Sequence, residues 1–389
     1  MHRVEELIKE FCPNGVGYVN LGEVADIHKG IQFNKKEMAK EGSYPVINGG
    51  IEPSGYVEVY NEKEDTITIS QGGASAGYVN WLQTKFWAGA HCYVVSPIDE
   101  KVLDNRYLFH FVKSKEKDFM QNQYGAGIPA LGKNTLQVTQ IPLPPLAVQR
   151  EIVRILDKFT LYSQELAAEL AARRVQYEFY RDKLLLFNNT IECFQLGDIA
   201  TVTKLAGFEF TNYVHYSAQG NIIALRGLNV KNGQLDLNDV KYIDESNLSK
   251  LGRSKLVIGD MLFTYVGTIG QVALIDENDK YYLAPNVALI RLNDKGAIKP
   301  KYLQYYFQTS HFYNSQILRL LQSSSMQNIP MEKIRKFKIV VPPLEVQERI
   351  VKVLDNFDAI CSDLGIGLPA EIEARQRQYE YYRDCLLYT

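Results

Sequence analysis

Few residues of this sequence have the types and spacing that catalysis needs. No H-E-x-x-H segment and no clustered Cys/His pair occurs, so the residues indicate no metal site. Gly127, Gly132 and Lys133 fit the phosphate-loop pattern G-x-x-x-x-G-K-S/T, but Asn134 stands where the Mg²⁺-binding hydroxyl belongs. Pro129 also removes a backbone N–H that such a loop needs. The sequence therefore argues against a phosphate-binding loop.

Self-contained methyl transfer to DNA is also not expected. DNA amino-methyltransferases hold the flipped base with a tetrad of the form D/N-P-P-Y/F. The two double-proline segments here read LPPL at 143–146 and VPPL at 341–344, so neither offers a polar acceptor or a stacking ring. No G-x-S-x-G or strand-linked G-x-G-x-x-G segment stands in for them. We therefore expect no catalytic residue and no cofactor bound by this chain.

The composition is that of an ordinary globular protein. The chain has 389 residues, of which 46% are hydrophobic and 23% charged, and its formal net charge is −2. This length predicts two or three domains. A balanced charge leaves only local basic clusters as signs of nucleic-acid binding. Such clusters are Lys29, Lys35, Lys36 and Lys40, and the segment KIRKFK at 333–338, which either bind phosphates or form solvated surface.

Two segments of the chain repeat. PPLAVQREIVRILDKF at 144–159 matches PPLEVQERIVKVLDNF at 342–357, with identity at 10 of 16 positions. Further on, QYEFYRD at 176–182 matches QYEYYRD at 378–384. A repeat of this length is a structural unit that the chain uses twice.

Apolar residues in both copies recur at helical spacing, which predicts two long helices that start after the prolines. The seam consists of Ile152, Leu156, Phe159, Leu166, Leu170, Tyr177, Tyr180 and Leu184 in the first copy, and Ile350, Leu354, Phe357, Ile372, Tyr379, Tyr382 and Leu386 in the second. Gly365, Gly367 and Pro369 should break or kink the second helix. We expect the two seams to pack against each other; the alternative is that each covers only its own globule.

The remaining regions predict strands. Residues 65–70, 91–95 and 286–292 alternate or form short apolar runs, with glycine-rich punctuation between them. Helices are expected near 107–119 and 302–320. The predicted fold class is α+β, with globules at 1–143 and 188–341 and long helices at 144–187 and 342–389.

Cysteine usage predicts a reducing cytoplasm. The five cysteines show no C-x-x-C and no disulfide framework. The first residues do not resemble a signal peptide, and no stretch is apolar enough to span a membrane.

The doubled PPLxxQxxIVxxLDxF and QYExYRDxLL segments, each closing a variable globule, resemble the specificity subunit of Type I restriction–modification systems. The resemblance implies two target-recognition domains separated by two long antiparallel helices, with each domain binding one half of a split sequence in double-stranded DNA. It also implies partners: two methyltransferase subunits and restriction/translocase subunits. S-adenosylmethionine, ATP and Mg²⁺ would then be bound by those partners.

On this resemblance, polar residues of the glycine-punctuated loops are the candidates for DNA contact, because base readout needs donor and acceptor groups on protruding loops. In the first globule they are Lys29, Gln32, Asn34, Lys35, Lys36, Asn48, Gln71, Ser75, His91, Lys133 and Asn134. In the second they are Lys204, Glu209, Asn212, Arg226, Tyr265, Thr268, Asn286, Ser323, Ser324 and Gln327. Each could instead cap a turn, and His91 could be a core histidine.

Two other functions stay open. One is a structural coiled-coil scaffold without DNA readout. The other, less favoured, is a self-contained DNA methyltransferase.

Overall fold

The computed structural model describes residues 2–122, 129–187, 191–322, 328–362 and 365–388. Within these ranges no helix is both long enough and apolar enough to cross a bilayer. Ser323, Ser324 and Gln327 lie outside the described residues.

The helices and strands alternate along the chain. The helices are α1 (His2–Phe11), α2 (Leu21–Val24), α3 (Asn105–Ser114), α4 (Glu116–Gln121), α5 (Lys133–Gln137), α6 (Leu146–Leu184), α7 (Leu196–Ile199), α8 (Gly207–Tyr213), α9 (Pro300–Phe307), α10 (Ser310–Phe312), α11 (Arg319–Gln322), α12 (Met331–Arg335), α13 (Leu344–Ser362) and α14 (Leu368–Leu387). The strands are β1 (Tyr18–Asn20), β2 (Ala25–Lys29), β3 (Tyr44–Ile47), β4 (Tyr56–Val57), β5 (Thr66–Ser70), β6 (Val79–Leu82), β7 (Trp87–Ala88), β8 (Cys92–Pro97), β9 (Gln140–Pro142), β10 (Cys193–Gln195), β11 (Ala200–Lys204), β12 (Ile223–Leu225), β13 (Val230–Lys231), β14 (Gln234–Leu235), β15 (Lys241–Tyr242), β16 (Met261–Thr264), β17 (Val272–Leu274), β18 (Tyr281–Leu283), β19 (Val287–Leu292) and β20 (Lys338–Val340).

The chain forms two compact units. Unit 1 contains Met1–Ala167 and Glu371–Thr389, and unit 2 contains Ala168–Ala370. Each unit therefore joins one globule with parts of both helical segments. The division into globules at 1–143 and 188–341 and helices at 144–187 and 342–389 remains a prediction of where the recognition domains lie.

Unit 1 is built on an antiparallel sheet of order β2-β8-β5-β6. All five residues of its strand β5, TITIS, are buried, which suits β-branched side chains packed on both faces. A smaller sheet of order β4-β3-β7 pairs β3 parallel to β7. Tyr107, Leu108 and Phe111 of α3 are fully buried in the core beside the sheet.

Unit 2 repeats this topology. Its four-stranded sheet has the order β11-β19-β16-β17, and its three-stranded sheet has the order β15-β12-β18 with β12 parallel to β18. A short hairpin, β13-β14, is added after β12. The two halves of the sequence thus form the same frame, which confirms the predicted internal repeat and the α+β fold class.

The helical segments pack inside each unit. In unit 1, Ile152 and Leu156 of α6 enter the core together with Leu386 of α14, and the Phe159 ring stacks on Tyr382 at 5.4 Å. The QYExYRD part of the second copy therefore packs with the PPLxxQ part of the first.

The reciprocal arrangement holds in unit 2. Ile350 and Leu354 of α13 enter its core, where Tyr177 and Leu184 of α6 pack against it. The Tyr180 ring stacks on Phe357 at 5.7 Å, which places α6 and α13 side by side as the predicted seam requires.

The expected break in the second helical segment is confirmed. Helix α13 ends at Ser362, and α14 begins at Leu368, between Gly367 and Pro369. Proline in the first turn of α14 costs no hydrogen bond, because that N–H has no helical partner. The first copy, which has no glycine or proline in the corresponding stretch, continues as one helix to Leu184.

Candidate DNA interface

Four loop positions of unit 1 meet at one edge of the sheets. Lys29 ends β2, Gln71 follows β5, and His91 precedes β8. The Gln71 N–H donates to the His91 carbonyl at 2.9 Å, and the Asn48 Oδ1 accepts the His91 N–H at 3.0 Å. Sheet pairing and these two bonds thus hold candidates that are far apart in sequence within one loop cluster, here called edge 1.

Glycine is required where these loops touch. A Cβ on Gly89 would lie 2.7 Å from the Asn48 Oδ1, and a Cβ on Gly49 would lie 2.7 Å from the Gly72 carbonyl oxygen. Both distances are shorter than van der Waals contact allows, so larger residues would push the loops apart.

A fifth segment completes edge 1. The Leu131 N–H donates to the Gln71 carbonyl at 2.7 Å, and the Gly73 N–H donates to the Pro129 carbonyl at 2.9 Å. Lys133 and Asn134, both exposed, begin α5 directly after this segment. The half-buried Ser75 lies in the turn that joins β5 to β6.

The other candidates of unit 1 follow Lys29 along an exposed stretch. Gln32 donates from Nε2 to the Phe33 carbonyl at 2.9 Å, and Asn34 accepts the Lys36 N–H at 3.2 Å. Asn34 thereby caps the short 3-10 turn that presents Lys35 and Lys36 to solvent.

Unit 2 forms the equivalent edge, here called edge 2. Lys204 ends β11, Arg226 follows β12, Tyr265 follows β16, and Asn286 precedes β19. The Lys204 ammonium lies 5.8 Å from the centre of the Tyr265 ring. The Ile329 N–H donates to the Tyr265 carbonyl at 3.0 Å, as Leu131 does to Gln71 in unit 1.

An open cavity of about 460 Å³ lies at edge 2. Arg226, Thr268 and Asn286 line it together with Tyr216 and the apolar Leu228, Val266 and Pro285. Burial raises the pKa of Tyr216, so its hydroxyl stays protonated at neutral pH. The cavity therefore combines hydrogen-bonding side chains with flat apolar walls, which suits an aromatic base more than a hydrated ion.

Not every candidate reaches these edges. Glu209 is buried, and its carboxylate accepts the Ala206 N–H at 3.0 Å, so it is already engaged at the start of α8. Asn212 is exposed near the end of the same helix. His91 is exposed rather than in the core, whereas His110 of the same unit is fully buried.

Sequence reasoning missed two fully buried glutamines that hold the repeat together. Gln149 accepts the Asp104 N–H at 2.8 Å and donates to the carbonyls of Val102 and Pro144 at 2.9 and 2.7 Å. Both positions are 0% exposed. The second, Gln347, makes the same three bonds.

In unit 2 the partners are the N–H of Lys299 at 2.9 Å and the carbonyls of Ala297 and Pro342 at 3.0 and 2.8 Å. These bonds fix the start of each long helix on its globule. The identity of the two glutamines in the repeated PPLxxQ segment was the signal that could have revealed them.

A second matched pair, at Asp157 and Asp355, anchors the helices about two turns further on. In unit 1, Asp157 accepts from His110 Nε2 at 2.8 Å and from Arg106 Nε at 2.9 Å, and His110 Nδ1 lies 3.2 Å from the Tyr379 hydroxyl. In unit 2 the Tyr305 hydroxyl donates to Asp355 at 2.6 Å.

Burial lowers the pKa of His110, against the opposing effect of the Asp157 carboxylate; Arg106 and Arg383 lower it further. The hydrogen bonds from His110 and Arg106 hold the pKa of Asp157 below its usual range despite its burial. The anchor in unit 1 is therefore a neutral imidazole on an ionised carboxylate near neutral pH.

No group of three His, Cys, Asp or Glu side chains in the described ranges is arranged to hold a metal ion. The described cysteines are free thiols.

Comparison with known proteins gives one consistent result. The family model for the Type I restriction modification DNA specificity domain matches residues 13–172 and again residues 188–374. A putative type I restriction enzyme specificity subunit of Haemophilus influenzae is 31% identical over 94% of both chains. The EcoR124I/EcoR124II specificity subunit of Escherichia coli is 28% identical, over 95% of this chain and 94% of its own.

Solved structures share the fold. The S subunit of a Type-I restriction–modification system from M. genitalium has a TM-score of 0.56 at 16% identity, over 96% of this chain and 97% of its own. A chain from a structure of type I R-M complex assembly and conformational transition has a TM-score of 0.62 at 16% identity, over 96% and 98%. Since the family model matches both halves of the sequence, this chain belongs to the family of Type I restriction–modification specificity subunits.

Proposed function

We propose that this chain selects the DNA target of a Type I restriction–modification complex. Each globule would bind one half of a split target, with edge 1 and edge 2 as the reading surfaces. The helical segments would carry the partner subunits. Both relatives described above are named as specificity subunits, which supports this assignment.

One observation carries the proposal. The two globules share a frame but present different side chains at equivalent loop positions. Both have lysine as the last residue of equivalent strands, Lys29 in β2 and Lys204 in β11. The position after β3 or β12 is Asn48 in unit 1 and Arg226 in unit 2.

Two further positions differ in the same way. Gln71 and His91 of edge 1 correspond to Tyr265 and Asn286 of edge 2. Asparagine, glutamine and arginine differ in the bases whose edges they match. Recognition of two dissimilar half-sites requires one scaffold that presents different side chains at equivalent loop positions. A purely structural repeat would gain nothing from different side chains there.

We further propose that the chain itself is non-catalytic and binds no cofactor. Methyl transfer would use S-adenosylmethionine on the methyltransferase partners, and translocation and cleavage would use ATP and Mg²⁺ on the restriction partners. In support, the described residues include no group of His, Cys, Asp or Glu arranged for a metal ion, and the sequence lacks the H-E-x-x-H and D/N-P-P-Y/F motifs. Such a complex acts on chromosomal and incoming DNA, so we place the protein in the cytoplasm.

The exposed apolar faces of the helices are candidates for methyltransferase docking. Within unit 2, Val175 and Phe179 of α6 are 69% and 59% exposed. Within unit 1, Tyr162 of α6 and Tyr381 of α14 are 60% and 63% exposed. Large apolar side chains that stay outside both cores typically mark a protein interface. The family's two repeats would then provide one docking face for each of two methyltransferase subunits.

Mapping methylated adenines across the source genome, with and without this chain, tests the proposal. We expect one split motif, methylated in both halves, to disappear when the chain is absent. That result returns the target and the spacer together. Persistence of every split motif, in cells where the methyltransferase partner is expressed and active, would contradict the proposal.

A binding experiment separates the proposal from a structural scaffold. Lys35→Glu with Lys36→Glu should weaken DNA binding and reduce its salt dependence, because each lost phosphate contact lowers the slope of log K against log salt by about 0.9. Lys9→Glu with Lys101→Glu changes the same charge at exposed positions away from edge 1. Equal affinities for the two double variants would support the scaffold instead.

A further inference from the structure

The position of Arg226 allows a base to be assigned to edge 2. Arg226 follows β12 and lines the 460 Å³ cavity with Tyr216 and Asn286. We propose that Arg226 binds the O6/N7 edge of a guanine in one half of the target, and that Asp239 is the positioning residue that holds its guanidinium for this contact. This inference rests on the proposed function, because it names one base of the DNA target that edge 2 would contact.

The guanidinium is braced on one side only. Its Nη2 donates to the Asp239 carbonyl at 2.7 Å and to the Asp239 carboxylate at 2.9 Å, which uses both hydrogens of that nitrogen. Nε is buried. In the described part of the chain Nη1 donates no hydrogen bond, so its two hydrogens are the ones that a ligand in the cavity can accept.

The brace is anchored in the core of the loop by a fully buried asparagine. Asn229 accepts the Arg226 N–H at 3.1 Å and donates to the carbonyls of Asp239 and Asp236, both at 2.8 Å. The backbone of Arg226 and the backbone of its partner are therefore fixed relative to each other. A side chain held this way loses little conformational entropy when it binds, which favours a contact that depends on geometry.

The surroundings favour a base over a phosphate. The Asp239 carboxylate offsets the positive charge of Arg226, and this weakens attraction to a phosphate more than it weakens directed hydrogen bonds. Leu228, Val266 and Pro285 give the cavity apolar walls, which a flat base can contact and a hydrated phosphate cannot use. Among the bases, guanine offers two acceptors in the major groove, and arginine is its usual partner.

Edge 1 does not share this device. The equivalent position after β3 is Asn48, whose Oδ1 accepts the His91 N–H. An effect that arises from Arg226 should therefore change one half of the split motif and leave the other half intact. The half-site that edge 1 contacts is therefore an internal control for every variant.

The test uses the complete complex and duplexes that carry the mapped motif, with single base-pair replacements in each half. The variants are Arg226→Gln, Asp239→Ala and their combination, with Arg253→Gln as a control that removes an exposed arginine outside the cavity. Methylation rates on competing duplexes give the discrimination at each position. Thermal unfolding of each variant checks that the fold is retained.

We expect wild-type protein to prefer G·C at one position of one half-site by about 10-fold or more, and Arg226→Gln to abolish or redirect this preference. Asp239→Ala should reduce discrimination at the same position only. The combined variant should equal Arg226→Gln alone, because Asp239 acts through Arg226. Arg253→Gln should leave all base preferences unchanged.

Other outcomes overturn the inference. A uniform loss of affinity on all duplexes in Arg226→Gln, with a smaller salt slope, would identify a phosphate contact. Additive effects in the combined variant would show that Asp239 does not act through Arg226. Unchanged preferences in every variant would reject the guanine assignment while leaving the proposed function in place. Wild-type protein that selects no split motif would instead overturn the proposed function.

Discussion

Replacing Gln149 by leucine should destabilise unit 1 strongly, although it changes no apolar contact of the seam. Leucine fills a similar volume but makes no hydrogen bond. The change would leave the Asp104 N–H and the carbonyls of Val102 and Pro144 without their present partner at a position that is 0% exposed.

The magnitude follows from these three groups. A buried polar group that loses its partner costs about 1–3 kcal/mol, and groups near the surface regain part of this from water. The added apolar burial of leucine offsets roughly 1 kcal/mol. We therefore expect a loss of roughly 2–5 kcal/mol, which is a large share of a typical stability of about 5–15 kcal/mol.

Urea unfolding followed by circular dichroism measures this loss, and hydrogen exchange of the Asp104 amide reports the broken bond directly. Gln164→Leu on the same helix is the matched control, since Gln164 is exposed and should change stability by less than about 0.5 kcal/mol. Gln347→Leu should produce the same loss in unit 2. A Gln149 variant as stable as the control, with unchanged exchange at Asp104, would refute the anchoring role.

Two further predictions concern the helix contacts. Burial lowers the pKa of His110, so below about pH 6.5 the unfolded chain binds more protons than the folded chain, and stability should fall as the pH drops through that value. His110→Tyr, which copies Tyr305 of unit 2, should reduce this fall. An identical pH dependence of the melting temperature in the wild-type protein and the variant would contradict the explanation. Phe159→Ala removes a half-buried ring that stacks on Tyr382 and should cost about 1–3 kcal/mol in urea unfolding, whereas Phe179→Ala at an exposed position should cost less than about 0.5 kcal/mol; equal losses would show that the stack contributes nothing specific.

The helices and the buried strands could be predicted from the sequence because their signals are local. The prolines before Leu146 and Leu344 mark the helix starts, and glycine with proline marks the break after Ser362. The apolar runs at β5 and β8 needed no tertiary information either. Such patterns depend only on spacing, which one sequence displays in full.

The composition of the two edges could be predicted only in part. Glycine-punctuated loops indicated which residues protrude, but sheet pairing decides which loops meet. Residues 48, 71 and 91 are joined by two hydrogen bonds that span 20 residues or more. Glu209 is expected to protrude from a loop, but it is buried at the start of α8, where its carboxylate accepts the Ala206 N–H. Neither outcome has a local signature.

Helical periodicity alone does not distinguish the buried glutamines, because an amide on an amphipathic helix has the pattern of a surface residue; only their identity in the two copies of the repeat marks them. Gln149 and Gln164 look alike in the sequence, yet one is fully buried and the other exposed. The difference arises from the loop before α3, whose free N–H and carbonyl groups need partners once the helix covers them. Hydrogen bonds to backbone groups that are distant in sequence are therefore the part of this fold that helical periodicity does not predict.

The pattern of contacts explains why some segments of the chain repeat and others do not. Each unit combines the PPLxxQ part of one copy with the QYExYRD part of the other. Both helical parts must therefore fit both globules, and matched groups meet them. His110 Nε2 lies 2.8 Å from Asp157 of α6, and Tyr305 donates to Asp355 of α13 at 2.6 Å.

The two edges carry no such requirement, because many of their side chains are exposed. Their loops share backbone bonds, such as those from Leu131 and Ile329, and each edge adds side-chain bonds of its own, from Asn48 in edge 1 and from Arg226 in edge 2. Exposed side chains can differ without loss of fold, as His91 and Asn286 do. Exchange of these two side chains between the edges should therefore change which bases are selected while the free energy of unfolding stays within about 1 kcal/mol. A collapse of stability on exchange would mean that the edges, and not only the helices, determine the fold.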